Sequence, residues 1–152
     1  MRPTTAEGML ATITEYFDGC NEANYDKMTG CMEPDAVHYF PAGAPQGTFG
    51  SADAIANGWI KAVNTLGSIW TIDRAIMDPD KREGVIEWTH FKPNVGVYLR
   101  GDEWYIFSER GLIQEIKAYY ACPTATEPKN HEIGDFDYVG LGYPMTPPKI
   151  AR

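Results

Sequence analysis

Hydrophobic residues recur at helical spacing through most of the chain up to Leu66, and from Ile69 onward they alternate as strand residues do. Helical patterns followed by a run of turn-linked strands specify an α+β domain, with helices packed on one face of a mainly antiparallel sheet. Thr4-Thr5-Ala6-Glu7 fits a capping box, and Met9, Leu10, Ile13, Tyr16, Phe17 and Cys20 then share one helical face. Gly19 to Asn24 reads as the end of that helix. Asn24 is the candidate cap of a short second helix, with Tyr25, Met28 and Cys31 or Met32 on its apolar side, closed by Pro34-Asp35.

Ala36 to Phe40 reads as a strand, and Pro41 to Gly50 as a Pro/Gly turn region. Ser51 caps a third helix with the stripe Ile55, Trp59, Ala62, Val63 and Leu66, and Gly67 offers a left-handed exit. The strands that follow are expected at Ile69 to Met77, Gly84 to Phe91, Val95 to Leu99, Glu103 to Ser108 and Leu112 to Ala121. Residues 1–122 form one domain on this reading. Residues 123–152, rich in Pro, Gly and charge but holding Phe136, Tyr138, Leu141 and Tyr143, form an irregular tail that docks on its own domain or on a partner subunit.

The net charge of −8 argues against nucleic acid and against an anionic membrane surface, since both need a basic footprint. No run approaches a membrane span, and Met1 to Thr5 lacks an apolar run behind a basic start. The three cysteines, Cys20, Cys31 and Cys122, fit neither a disulfide framework nor a zinc site. A cytoplasmic protein with reduced thiols is the expectation. There is no nucleophile elbow, P-loop or dinucleotide fingerprint, and His38, His90 and His131 lack metal-motif spacing. Neither a metal nor a cofactor is therefore expected.

The chemistry-bearing segment is Gly84 to Phe91, where alternation sets Ile86, Trp88 and His90 on one face and Glu87 and Thr89 on the other. A histidine beside a tryptophan on a concave face can act as an oriented base, or can equally be a satisfied core residue. In the last strand Glu115, Lys117, Tyr119 and Ala121 face one way, and Ile116, Ala118 and Tyr120 the other. An inward Tyr119 could donate to a developing oxyanion, with Lys117 supplying charge near the rim. Tyr16, on the apolar face of the first helix, needs a partner for its hydroxyl if buried. His38 and Tyr39 leave their strand on opposite faces, so only one can enter a given cavity. Trp59, Trp88 and Trp104 are candidate apolar walls.

The order of elements resembles the nuclear transport factor two-like superfamily. The likeness rests on Pro34-Asp35-Ala36-Val37, the helix start Gly50-Ser51-Ala52-Asp53-Ala54-Ile55 and the closing strand Glu115-Ile116-Lys117-Ala118-Tyr119-Tyr120, and spans roughly residues 6 to 122. Within that superfamily the chain is similar to the SnoaL-like group, with relatives of limonene-epoxide hydrolase, ketosteroid isomerase and scytalone dehydratase. The resemblance implies a cone-shaped α+β fold around a deep pocket, a homodimer or homotrimer, and cofactor-free acid–base chemistry. Tyr16 matches a first-helix tyrosine that dehydratase relatives place in the pocket. His90 falls where epoxide-hydrolase relatives carry an inward acid, and Trp88 where they carry an inward arginine. Ala121 stands where many relatives have an aspartate, so their water-activating arginine–aspartate pair is missing. Asn21 lies near the first-helix aspartate of some dehydratases.

These readings lead to a cofactor-independent lyase or isomerase acting on a small aromatic or polyketide-like molecule. His90 would move the proton and Tyr16 and Tyr119 would hold an oxygen, with Trp88, His38, Tyr39, Trp59, Trp104 and Lys117 around the substrate. The alternatives are a non-catalytic ligand-binding module, or a hydrolase such as an epoxide hydrolase, for which Glu87, Asp73 and Glu115 are the available carboxylates.

Overall fold

The computed structural model describes residues 1–120, 133–137 and 139–142. Three helices, α1 (Ala6–Asn21), α2 (Tyr25–Thr29) and α3 (Ala52–Leu66), alternate with the first of five strands, β1 (Met32–Tyr39). The others are β2 (Ile69–Asp78), β3 (Glu83–Lys92), β4 (Val97–Phe107) and β5 (Ile113–Tyr119). They form one curved sheet in the order β1-β5-β4-β3-β2, antiparallel except that β1 lies parallel to β5. The mixed α+β cone expected from the sequence is the fold observed.

Each helix starts where a side chain can take up an orphan amide. Ser51 Oγ accepts from the Ala54 amide at 3.1 Å, and Asn24 Oδ1 from the Lys27 amide at 3.0 Å. In α1 the cap is Thr5 rather than Thr4, with its hydroxyl accepting from the Gly8 amide. Gly67 leaves α3 at φ 66°, the left-handed exit that a Cβ would disfavour. The apolar stripe of α1 (Met9, Ile13, Tyr16, Phe17, Cys20) is buried against the sheet.

Two segments depart from the sequence expectation. β1 begins at Met32, before Pro34, instead of at Ala36. β1 is an edge strand and its pairing with β5 skips from Met32 to Val37, so the missing amide of Pro34 interrupts no ladder bond. The strands expected on either side of Gly101 are one continuous strand, β4, with Gly101 inside it. A Cβ at Gly101 would sit 2.8 Å from the Trp88 ring and 2.6 Å from the Tyr119 carbonyl oxygen, so the glycine marks a close approach rather than a turn.

The pairing register arranges the inner face in rows. His38 lies beside Ile116, which pairs with Tyr105. One row along, Ala118 pairs with Glu103, and Glu103 with Ile86. Next come Gly101, Trp88 and Ile72, and then Leu99, His90 and Trp70. The outer face carries a contrasting row of Tyr39, Lys117, Trp104 and Val85. Part of the chain beyond the sheet packs there: Phe136 meets Tyr39 edge-on at 5.3 Å, and the Lys117 ammonium lies 5.1 Å from the Phe136 ring centre. Ile133 is buried beside Pro41, and Thr48 Oγ donates to Asp135 at 2.8 Å. Ala121, Cys122, residues 123–132 with His131, Tyr138, and residues 143–152 lie outside the described residues.

Candidate active site

Two histidines face the interior, at opposite ends of the rows. His38 is held at the end of β1 by reciprocal backbone bonds with Phe49, 2.9 and 3.1 Å long, which fix its side chain toward the helices. Its imidazole stacks on Phe40 with ring centres 4.1 Å apart and meets Trp59 edge-on at 5.5 Å. It is 1% exposed, and neither ring nitrogen has a hydrogen-bond partner among the described residues. Its Nε2 stands 3.4 Å from Glu103 Oε1, within ion-pair range but out of hydrogen-bond alignment.

Glu103 reaches the same place from the inner face of β4 and is itself buried. Its second oxygen accepts from the Tyr105 hydroxyl at 2.6 Å, an i, i+2 contact that strand alternation makes available. Burial pushes the Tyr105 phenol well above its ordinary value, and the Glu103 charge beside it adds to the shift, so Tyr105 remains a donor. Burying a carboxylate is costly unless it is paired and hydrogen-bonded. Here it has one phenol and one imidazole.

Tyr16 approaches from α1, where its hydroxyl accepts from Trp59 Nε1 at 2.6 Å. Burial keeps the Tyr16 phenol and the Cys20 thiol protonated, and pushes the Cys31 thiol up to about 11. Neither cysteine is poised as a thiolate.

His90 sits in a different setting. Its Nε2 bonds the Ser68 hydroxyl at 2.8 Å, and its ring stacks on Trp70 at 4.3 Å. Burial, with a smaller push from the Lys92 charge, lowers its proton affinity to about 3. A ring with that affinity stays neutral near pH 7 and is a weak base there.

The structure therefore brings together Tyr16, His38 and Trp59 from the sequence candidates, and holds Trp88 and His90 farther along the same face. Tyr119 pairs with Asp102 in the outer set, beside Lys117, Trp104 and Tyr39. Those four residues share the convex side and do not face the interior. Tyr39, not His38, points outward. The sequence reading missed Glu103 and Tyr105. The available signal was the alternation Glu103-Trp104-Tyr105, which puts a carboxylate and a phenol on one face of a strand. Asn21, near the aspartate of some relatives, instead grips the edge strand: its side chain accepts from the Trp70 amide at 2.7 Å and donates to the Trp70 carbonyl at 2.9 Å.

An open groove of about 520 Å³ runs between α1 and β2, lined by residues including Phe17, Asn21, Trp70, Ile72 and Arg74. None of His38, Glu103, Tyr105 or Tyr16 lines it, so it is separate from this cluster. Among the described residues no helix is long and apolar enough to cross a membrane, and no three His, Cys, Asp or Glu side chains are grouped as metal ligands.

No family sequence model matches the chain, and a search of curated proteins finds no match. Solved structures do match. A protein of unknown function with a cystatin-like fold from Methylobium petroleophilum PM1 is 49% identical, over 97% of this chain and 98% of that one, with a TM-score of 0.90. SalBIII, an epoxide hydrolase/cyclase-like enzyme in pyran ring formation in polyether salinomycin, is 12% identical with a TM-score of 0.64, over 78% of this chain and 94% of that one. RV0760c from Mycobacterium tuberculosis, in complex with estradiol-17beta-hemisuccinate, is 14% identical with a TM-score of 0.63, over 79% and 98%. Other matching structures are described as NTF2-like. At 49% identity over nearly the whole of both chains, the protein belongs to the same family as the Methylobium petroleophilum protein with a cystatin-like fold, and it shares that fold with the structures described as NTF2-like.

Proposed function

We propose that this protein is a cofactor-independent acid–base lyase or isomerase acting on a small aromatic or polyketide-like molecule, with His38 and Glu103 as the proton-transferring pair. One observation carries the reading: a histidine that is 1% exposed, with both ring nitrogens unpartnered among the described residues, stands 3.4 Å from a buried carboxylate. Buried polar atoms are nearly always satisfied, and those left open in a native interior point to a missing partner. A substrate hydroxyl, or a C–H next to a carbonyl, is such a partner.

In this scheme His38 removes a proton from the substrate, and Glu103 holds the imidazolium that results. Tyr105 keeps the far carboxylate oxygen engaged, so the near one stays turned to His38. Tyr16, whose hydroxyl accepts from Trp59 and keeps its own proton, donates to the oxygen on which negative charge develops. The proton on His38 then returns to a different substrate atom, giving an isomer, or goes to a leaving hydroxyl, giving water and an alkene. The aromatic rings of Phe40, Trp59 and Trp70 support a flat apolar substrate. His90 is a wall residue in this scheme, because its nitrogen is tied to Ser68 and it stays neutral.

The test is a mass-spectrometric turnover screen of the purified protein, without added cofactor, against hydroxylated aryl compounds, enols, enones and epoxides. Conversion at constant mass or with loss of water supports the reading. Tight binding of several compounds with no conversion supports a ligand-binding module instead, the alternative favoured by the ligand complex of RV0760c. Addition of water to an epoxide would favour the hydrolase.

A further inference from the structure

His38 is 1% exposed, so a substrate reaches it only when part of its enclosure moves. On one side that enclosure is regular, since Ile116 on β5 and Glu103 and Tyr105 on β4 stand on paired strands. On the other side it depends on the segment that joins β1 to α3. Phe40 stacks on the imidazole and Trp59 meets it edge-on. Phe49 in turn lies edge-on against both, 5.2 Å from Phe40 and 5.7 Å from Trp59, and is only partly buried. Its ring sits in a notch in α3 at Gly58, where a Cβ would come within 2.5 Å of it. Glycine weakens a helix interior, and here its missing side chain makes room for the ring. Residues 42–48 hold neither helix nor strand, and side-chain bonds at Gln46 and Thr48 tie them down. Thr48 Oγ donates to Asp135 at 2.8 Å, the Gln46 amide to the Tyr120 hydroxyl at 3.0 Å, and the Gly134 amide to the Phe40 carbonyl at 2.8 Å. Segments with few buried contacts and exposed hydrogen bonds are where native proteins open locally.

We propose that residues 40–49 form a gate over His38, with the Phe49 ring as its moving cover, the Gly58 notch as its seat and the Thr48–Asp135 hydrogen bond as its latch. The proposal rests on the acid–base reading of the same interior and states how that site is reached. In the closed state Phe49 and His38 exchange two backbone bonds, 2.9 and 3.1 Å long, and the aromatic rings pack without a break from Phe49 through Trp59 and Phe40 to the imidazole. Opening lifts Phe49 from Gly58, breaks that backbone pair and frees the outer sides of Phe40 and Trp59. The paired strands behind His38 stay in place. Closure then seals the bound molecule against the carboxylate side of the site, as mobile loops do over many enclosed sites. The latch is a single exposed hydrogen bond, so its loss shifts the gate toward the open form without touching the chemistry.

The experiment reads access rather than turnover. Diethyl pyrocarbonate, which acylates an accessible imidazole nitrogen, is applied to the wild type, Thr48→Val and Gly58→Ala, and labelling at each histidine is followed by peptide mass spectrometry. Valine keeps the shape of threonine and deletes the latch. Alanine fills the notch while favouring the helix, so the fold is kept. Labelling of His38 should rise about 3–10-fold in Thr48→Val, the usual worth of one hydrogen bond, and at least as much in Gly58→Ala, with the buried His90 unchanged within about twofold. In the wild type the amides of His38 and Phe49 should exchange with solvent together, and faster than the amide of Tyr105 at the centre of the sheet. Unchanged His38 labelling in either folded variant, an equal rise at His38 and His90, or exchange at His38 and Phe49 as slow as at Tyr105 overturns the proposal. A protein that fails the turnover screen can still open in this way, and an active enzyme can lack the gate, so the two readings fail separately.

Discussion

The two ends of the interior hold the same side chain under opposite conditions. Around His90 partners are in place: its Nε2 bonds Ser68, its ring lies on Trp70, and burial keeps it neutral with its proton affinity lowered to about 3. Around His38 both ring nitrogens lack a hydrogen-bond partner among the described residues, and the buried carboxylate of Glu103 stands 3.4 Å away. Depth does not distinguish them, since both are almost fully enclosed. The difference lies in the neighbours. In the proposed scheme the histidine bonded to a hydroxyl and stacked on an indole serves as packing, and the one beside an acid and short of a partner moves the proton.

The largest effect that separates the two ends is expected from His38→Asn, which should lower turnover of any substrate found in the screen by about 10²–10⁴-fold, the usual worth of a positioned acid or base. Circular dichroism would confirm that the fold is kept. Glu103→Gln is next. It keeps the shape but removes the charge that holds the imidazolium, so kcat should fall by about 10–10²-fold, with a smaller change in KM. A Glu103→Gln variant with wild-type kcat would remove the carboxylate from the scheme.

At the other end, His90→Asn should cost stability rather than chemistry. Loss of the Ser68 bond and of the Trp70 stack should destabilise the protein by about 1–3 kcal/mol in denaturant unfolding. The last effect is on pH dependence. The unfolded chain protonates His90 near its ordinary value of 6.5, and the folded chain only near 3. Burial of the neutral ring therefore favours folding fully above about pH 6.5, and that contribution declines as the pH falls toward 3. The slope of stability against pH across this window should be shallower in His90→Asn than in the wild type. Equal slopes would mean that His90 is not held neutral.

Much of this architecture is legible in the residues, and the reasons are local. Ser51 and Gly67 bound α3, and the alternation Ile86-Trp88-His90 gives the inner face of β3, because caps and strand alternation act within a few residues. What was not legible depends on partners brought from afar. Nothing near Glu103 in sequence shows that β1 delivers His38 beside it, because the parallel β1–β5 pairing joins residues far apart in the chain. The choice between His38 and Tyr39 hangs on the same pairing. Gly101 misled for a related reason: as an isolated residue it marks a break, and only the Trp88 ring across the strand gap explains its place inside β4.

The most direct test of the account is a side-by-side measurement of kcat/KM for His38→Asn and His90→Asn on one substrate from the screen, at pH 7. The account predicts a loss of at least a hundredfold for His38→Asn and less than tenfold for His90→Asn. The reverse order, with His90→Asn inactive and His38→Asn near wild type, would contradict it and would put the chemistry at the Ser68 and Trp70 end of the interior.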